Sequence, residues 1–143
     1  MKKIHDQLYL AGQISLSDLD SFVEAGITTI INNRPDNGEP GKISAEQVAA
    51  AAQTLGIDYH YLPMFNGQPL PETLVADFKT ALENSKGPVL AHCRSGMRSS
   101  FLWALGQIPT GSITVDQAID AAQAAGIPLA NARAVLESVQ PEQ

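Results

Sequence analysis

A chain of 143 residues, 44% hydrophobic and 17% charged, is long enough for one domain with its own core. A formal net charge of −6 argues against nucleic acid or an anionic membrane as the main partner. A single cysteine excludes an internal disulfide. In chain order, IHDQLYLAG (4–12) reads as a strand closed by a turn glycine. SLSDLDSFVEAG (15–26) reads as a short helix with Ser15 or Ser17 as cap and Gly26 as stop. The β-branched run 27–34 is a strand that Pro35 ends, and 35–42 is turn chemistry. Helix 44–56 opens on a Ser44/Gln47 capping box. Strand 57–63, loop 64–71, helix 72–84 and the apolar strand 87–93 follow. A helix over about 98–106 comes next. Two more, 114–126 with a Thr114/Gln117 capping box and 129–139, close the chain.

Strand and helix alternate four times, with no linker or low-complexity segment. The expectation is a single α/β domain over 1–143, with a mostly parallel central sheet flanked by helices on both faces. The N-terminus lacks the apolar run of roughly 7–15 residues that a signal peptide needs. No stretch approaches the roughly 20 apolar residues of a membrane span. A cytoplasmic protein with a reduced thiol is the resulting expectation.

The chemistry concentrates in LAHCRSGMRSS (90–100), which holds the only cysteine. A strand ends at Cys93 and a helix starts near Arg98, so the residues between make a tight strand-to-helix turn. In an open α/β sheet, ligands bind beyond the carboxyl ends of the strands. There the turn's N–H groups converge and the helix start adds partial positive charge. Ser95 and Gly96 suit close approach of backbone to a ligand, and Arg98 can fork onto an anion's oxygens. The expected nucleophile is a Cys93 thiolate above an anion loop of Arg94, Ser95, Gly96, Met97 and Ser99. A lone cysteine in an apolar strand is ordinarily packing, but His92, Gly96 and Arg98 around it argue otherwise. His92 points to the opposite strand face and is read as orienting the loop by hydrogen bonding rather than acting as a base. Arg94 is either a solvated cation or a second anion ligand.

NNRPDNGEP places Arg34 and Asp36 beyond a strand end, on the same sheet edge. One reading is a proline-directed turn whose aspartate bonds its own backbone. The other has Arg34 adding positive charge to the site, with Asp36 or Glu39 fixing an arginine.

The opening LYLAGQISLSDLDSFVEAGITTIINNRPD resembles that of dual-specificity phosphatases, and HCRSGMRSS resembles their signature H-C-x5-R-[S/T]. The count differs: the arginine stands five residues after the cysteine, at Arg98, and Ser99 stands six after. CRSGMRS is instead similar to the shorter persulfide loop of rhodaneses, C-R-x-G-x-R-S. A phosphatase-like body with a rhodanese-length loop resembles the bacterial beta-lactamase hydrolase-like family, over nearly the whole chain. The resemblance implies a dual-specificity phosphatase-like fold, with Cys93 as nucleophile and Arg98 as anion ligand. It also implies phosphatase or sulfur-transferase activity and, from fusions in that family, a persulfide dioxygenase as a partner. Dual-specificity phosphatases take a general acid from an aspartate in the loop after the preceding strand. Here that loop, PMFNGQPLPET, holds Asn66 and no aspartate; Glu72 reads as a helix residue and Asp77 lies within the helix.

The missing acid and the short loop both favour sulfur transfer through a Cys93 persulfide, from a small sulfur-containing anion. A phosphatase acting on a phosphorylated substrate through phosphocysteine is the alternative. A non-catalytic anion-binding module is a third reading, which an intact Cys93–Arg98 pair opposes. The three histidines and one cysteine show no ligand spacing and no glycine-rich nucleotide motif occurs, so no metal or cofactor is expected.

Overall fold

A computed structural model describes residues 1–36, 43–65, 67–71 and 73–141. Five strands form one sheet: β1 (Lys2–His5), β2 (Leu8–Ala11), β3 (Thr29–Asn32), β4 (Asp58–Tyr61) and β5 (Val89–His92). Their order is β1-β2-β5-β3-β4, parallel throughout except for β1, which runs antiparallel to β2. The helices are α1 (Asp18–Glu24), α2 (Ala45–Thr54), α3 (Leu74–Glu83), α4 (Met97–Gln107), α5 (Val115–Ala124) and α6 (Arg133–Ser138). Short 3-10 turns stand at Ile108–Thr110 and Leu129–Ala132.

The expected α/β architecture is present, with one difference at its start. The segment read as one strand, 4–12, is a hairpin: Asp6 and Gln7 turn the chain, and the β1–β2 register shifts between Lys3 and His5. Side-chain alternation runs through the turn, which is why the pair resembles a single strand. Both capping boxes form as read, with Gln47 N donating to Ser44 Oγ and Gln117 N donating to Thr114 Oγ1. Ser17 does not cap α1 with its side chain; the Ser15 N–H instead donates to Asp18 Oδ2 at 2.8 Å. The last segment begins as a 3-10 turn before α6.

Strand alternation sorts two cores. Leu8, Leu10, Ile31, Val89 and Ala91 pack against α3, α4, α5 and α6. Ile30 and Leu90 pack against Leu19 and Phe22 of α1 and Val48 and Ala52 of α2. β5 is central and buried at every position, as a parallel strand covered on both faces should be. In register, Ala11 of β2 and Asn32 of β3 both stand beside His92, and Tyr61 of β4 stands beside Asn32. The four strands therefore end at one level, and Gly12, Asn33, Leu62 and Cys93 each leave the sheet at the same edge. Among the described residues, no helix is long and apolar enough to cross a membrane.

Candidate active site

The segment between β5 and α4 is a tight turn because Gly96 takes φ 90°, a left-handed conformation that a side chain disfavours. Gly96 is the N-cap of α4, and its N–H points back onto Cys93 Sγ, 3.0 Å away. Cys93 is itself buried. The Ser100 N–H donates to Gly96 O at 3.0 Å, the first bond of the α4 pattern. The N–H groups just ahead of it are those a helix start leaves for a cap or a ligand. A buried thiol, an N–H aimed at its sulfur and a helix N-terminus thus meet in one turn.

Neighbouring strand ends hold the turn from both sides. On the β2 side, Cys93 N donates to Ala11 O at 3.4 Å and Gln13 N to Arg94 O at 3.2 Å. A Cβ on Gly12 would stand 2.8 Å from Arg94 O, so only glycine lets the two loops approach this closely. On the β3 side, Asn33 N donates to His92 O at 2.8 Å, and the buried Ser99 hydroxyl donates to Asn33 Oδ1 at 2.8 Å. Asn33 Nδ2 then donates to Leu62 O, and Met64 N to Asn33 O, which extends the brace to the loop after β4.

The residues expected at the site take distinct positions. Arg94 and Ser95 are exposed, whereas Met97 and Arg98 are half-buried in the first turn of α4. The Ser95 hydroxyl accepts a long 3.4 Å bond from Met97 N. Ser99, read as an anion ligand, spends its hydroxyl proton on Asn33 and acts as a tie between loops.

His92 departs further from its reading. It is buried, and among the described residues neither ring nitrogen has a hydrogen-bond partner, so no bond from the ring orients the loop. Burial first, and the nearby Arg34 charge second, lower its pKa from 6.5 to about 4. The ring is therefore neutral at pH 7.

Among the described residues, the Asp36 carboxylate is engaged at the start of α2. Both carboxylate oxygens accept from Ala45 N at 3.0 Å, at the start of α2, where a negative charge meets the helix dipole. Its N–H donates to Tyr61 Oη. Arg34 is buried beside His92, its N–H donating to Asn32 Oδ1. The Asn32 amide donates to Tyr59 Oη, but burial outweighs that bond and pushes the Tyr59 pKa up to about 12. Asn66, Glu39 and Glu72 lie outside the described residues.

Sequence reading missed Gly12, Gln13 and Asn33 as parts of the site. A glycine directly after a buried strand end was a usable signal for close backbone approach. Nothing local marks Asn33 as the partner of Ser99.

Comparison with known proteins follows the same outline. The family model described as "Beta-lactamase hydrolase-like protein, phosphatase-like domain" matches residues 1–110. The chain is similar to a beta-lactamase hydrolase-like protein of Agrobacterium fabrum, 34% identical over 94% of this chain and 31% of the relative. It thus spans under a third of the length of that relative. A crystal structure of a candidate phosphatase from Neisseria meningitidis superposes with a TM-score of 0.86 at 32% identity, covering 97% of each chain. Kinase associated phosphatase, at 19% identity, TM-score 0.73 and coverage of 92% and 86%, shares the fold. These likenesses support the phosphatase alternative better than sulfur transfer, the reading the loop length had favoured.

Proposed function

The chain belongs to the beta-lactamase hydrolase-like protein family, in its phosphatase-like domain, and on that footing we propose that it is a cysteine-dependent phosphatase. Cys93 Sγ attacks the phosphorus of a monoester, and the phosphorus–oxygen bond breaks with its electron pair leaving on oxygen. Water then attacks the phosphocysteine and releases inorganic phosphate, and the sulfur–phosphorus pair of electrons returns to Cys93. The observation that carries this reading is the 3.0 Å approach of Gly96 N–H to Cys93 Sγ at the head of α4. A donor fixed on that sulfur serves both steps, because the nucleophile and the later leaving group each carry negative charge. The N–H groups of the loop and the Arg98 guanidinium would hold the non-bridging oxygens.

The loop 63–73 contains no aspartate; its one carboxylate is Glu72, and Asp77 stands in the first turn of α3. The substrate class follows from leaving-group chemistry. Aryl phosphates need little protonation as they depart, whereas seryl and alkyl phosphates need an acid. We therefore assign aryl phosphate esters as the preferred substrates. One observation favours a second reading, transfer of sulfane sulfur through a Cys93 persulfide: Arg98 stands five residues after Cys93, in CRSGMRS. Sulfite leaves as a stable anion and needs no acid. A small sulfur-containing donor and a persulfide dioxygenase partner belong to that reading alone.

The test sets a phosphotyrosine peptide, a phosphoserine peptide and thiosulfate side by side, with Cys93→Ser as control. The phosphatase reading expects phosphate release from the tyrosyl ester, little from the seryl ester, and none from Cys93→Ser. Persulfide on Cys93 by mass spectrometry, without phosphate release from either peptide, overturns it in favour of sulfur transfer. No turnover of any of the three leaves the anion-binding module as the reading that stands.

A further inference from the structure

The Cys93 loop has a third support, from a part of the chain that the family match does not reach. The match ends at residue 110, and α5, the 3-10 turn at Leu129–Ala132 and α6 follow it. Between α5 and that turn lies Ile127. It is buried and fixed at both backbone groups: its N–H donates to Ala122 O at 2.9 Å, and its carbonyl accepts from Leu129 N at 2.9 Å. Its side chain reaches back to the loop. A Cβ on Gly96 would stand 3.0 Å from Ile127 Cδ1 and 3.6 Å from Cγ1, so the isoleucine occupies the space beside that glycine.

The position has a mechanical consequence. Behind the loop is a pocket of about 370 Å³ whose lining includes Gly12, Gln13, Ser95, Gly96, Ala125 and Ile127. Open space on that side gives the loop somewhere to relax. Gly96 has φ 90° and no side chain of its own to lock that conformation. If it relaxes, its N–H leaves Cys93 Sγ and the N–H groups of the loop no longer converge.

We infer that Ile127 is a positioning residue for the Cys93 loop, holding Gly96 so that its N–H stays on the sulfur and the anion cradle stays formed. This rests on reading 93–99 as an anion-binding loop, and not on which reaction the loop performs.

The test reads the cradle without any substrate. Cys93 is the only cysteine, so its alkylation can be followed alone. Iodoacetate and iodoacetamide meet the same sulfur but differ in charge, so the ratio of their rates reports anion guidance and cancels the fraction of reactive thiol. In the wild-type chain the ratio should exceed that of a free thiol such as glutathione by about tenfold or more, the lower end of cleft focusing. Ile127→Ala should lower it about tenfold. Ile127→Val, which deletes the Cδ1 atom nearest Gly96 and little else, should lower it about threefold. Ile127→Met, which keeps the reach, should stay within about twofold of wild type. Leu136→Ala empties a buried site on α6 and should lower Tm while leaving the ratio unchanged.

Wild-type ratios in Ile127→Val and Ile127→Ala overturn the proposal. So does an equal drop in Leu136→Ala, which would make the effect one of general stability. If Ile127→Ala does not fold, the comparison of Val with Met decides. A wild-type ratio no higher than that of glutathione overturns the anion-loop reading itself, and is recognisable as that failure because it needs no variant.

Discussion

The hydroxyl of Ser99, in the first turn of α4, donates a 2.8 Å hydrogen bond to Oδ1 of Asn33, the residue that follows β3. Both residues are buried, and Asn33 passes the restraint on to Leu62 through its amide nitrogen. Ser99→Ala leaves a buried carbonyl oxygen without its donor. The expected loss is about 1–3 kcal/mol in urea unfolding, the penalty for stranding a buried acceptor. Phosphate release should fall in the same variant, because the start of α4 loses its tie to β3. An unchanged midpoint of unfolding would show that the bond contributes nothing net.

Gly12→Ala tests the close approach on the other side of the loop. The new Cβ would come 2.8 Å from Arg94 O, which is backbone and can give way only by moving the loop. A displacement near 1 Å at a reacting group is worth on the order of a hundredfold in rate. Catalytic efficiency should therefore fall by about ten- to a hundredfold. Gly56→Ala is the comparison. Its φ of 75° makes a side chain unfavourable by about 1 kcal/mol. Yet nothing lies within 4 Å of its Cβ, so stability should drop without loss of efficiency. Similar kinetics in the two variants would sink the buttress argument.

The two arginines of the loop should separate in a kinetic comparison. Arg98 is half-buried at the head of α4, whereas Arg94 is exposed. Arg98→Ala should lower kcat/KM by about 10²–10³-fold, as loss of a preorganised donor does. Arg94→Ala should lower it less than about tenfold. Arg98→Lys should restore little, since an ammonium lacks the planar fork. Equal losses at the two positions would mean that their roles are misassigned.

His92 predicts a dependence of stability on pH. Its pKa falls from 6.5 to about 4 on folding, chiefly through burial, so the unfolded chain binds the proton more tightly. The contribution to stability is complete above pH 6.5 and is lost as the pH drops from 6.5 towards 4. A shift of this size corresponds to about 3 kcal/mol across that window. In His92→Leu, which removes the titrating ring, most of that acid loss should vanish from urea midpoints taken at pH 7 and pH 4.5. An equally steep loss in the variant would place the proton uptake on other groups.

The alternating α/β order and the candidate cysteine loop were legible in the sequence because their signals are local. Alternation and β-branching mark the buried strands. Ser44 with Gln47 and Thr114 with Gln117 satisfy helix starts within four residues. Cys93, Gly96 and Arg98 lie within one turn of chain, so the reading of a shared anion loop could be made from spacing alone. The supports of that turn were not legible, because they come from chain that only folding brings near. Ser99 and Asn33 are 66 positions apart. Gly12 meets Arg94 because β2 and β5 run parallel with Ala11 beside His92, and Ile127 meets Gly96 only once α5 has packed on the sheet. Asp36 reads as a turn residue until α2 is placed against it, and the lowered His92 pKa exists only when the core has removed water from the ring. Composition and spacing determine which groups can react; register and burial, which depend on every strand at once, decide how they are held and charged.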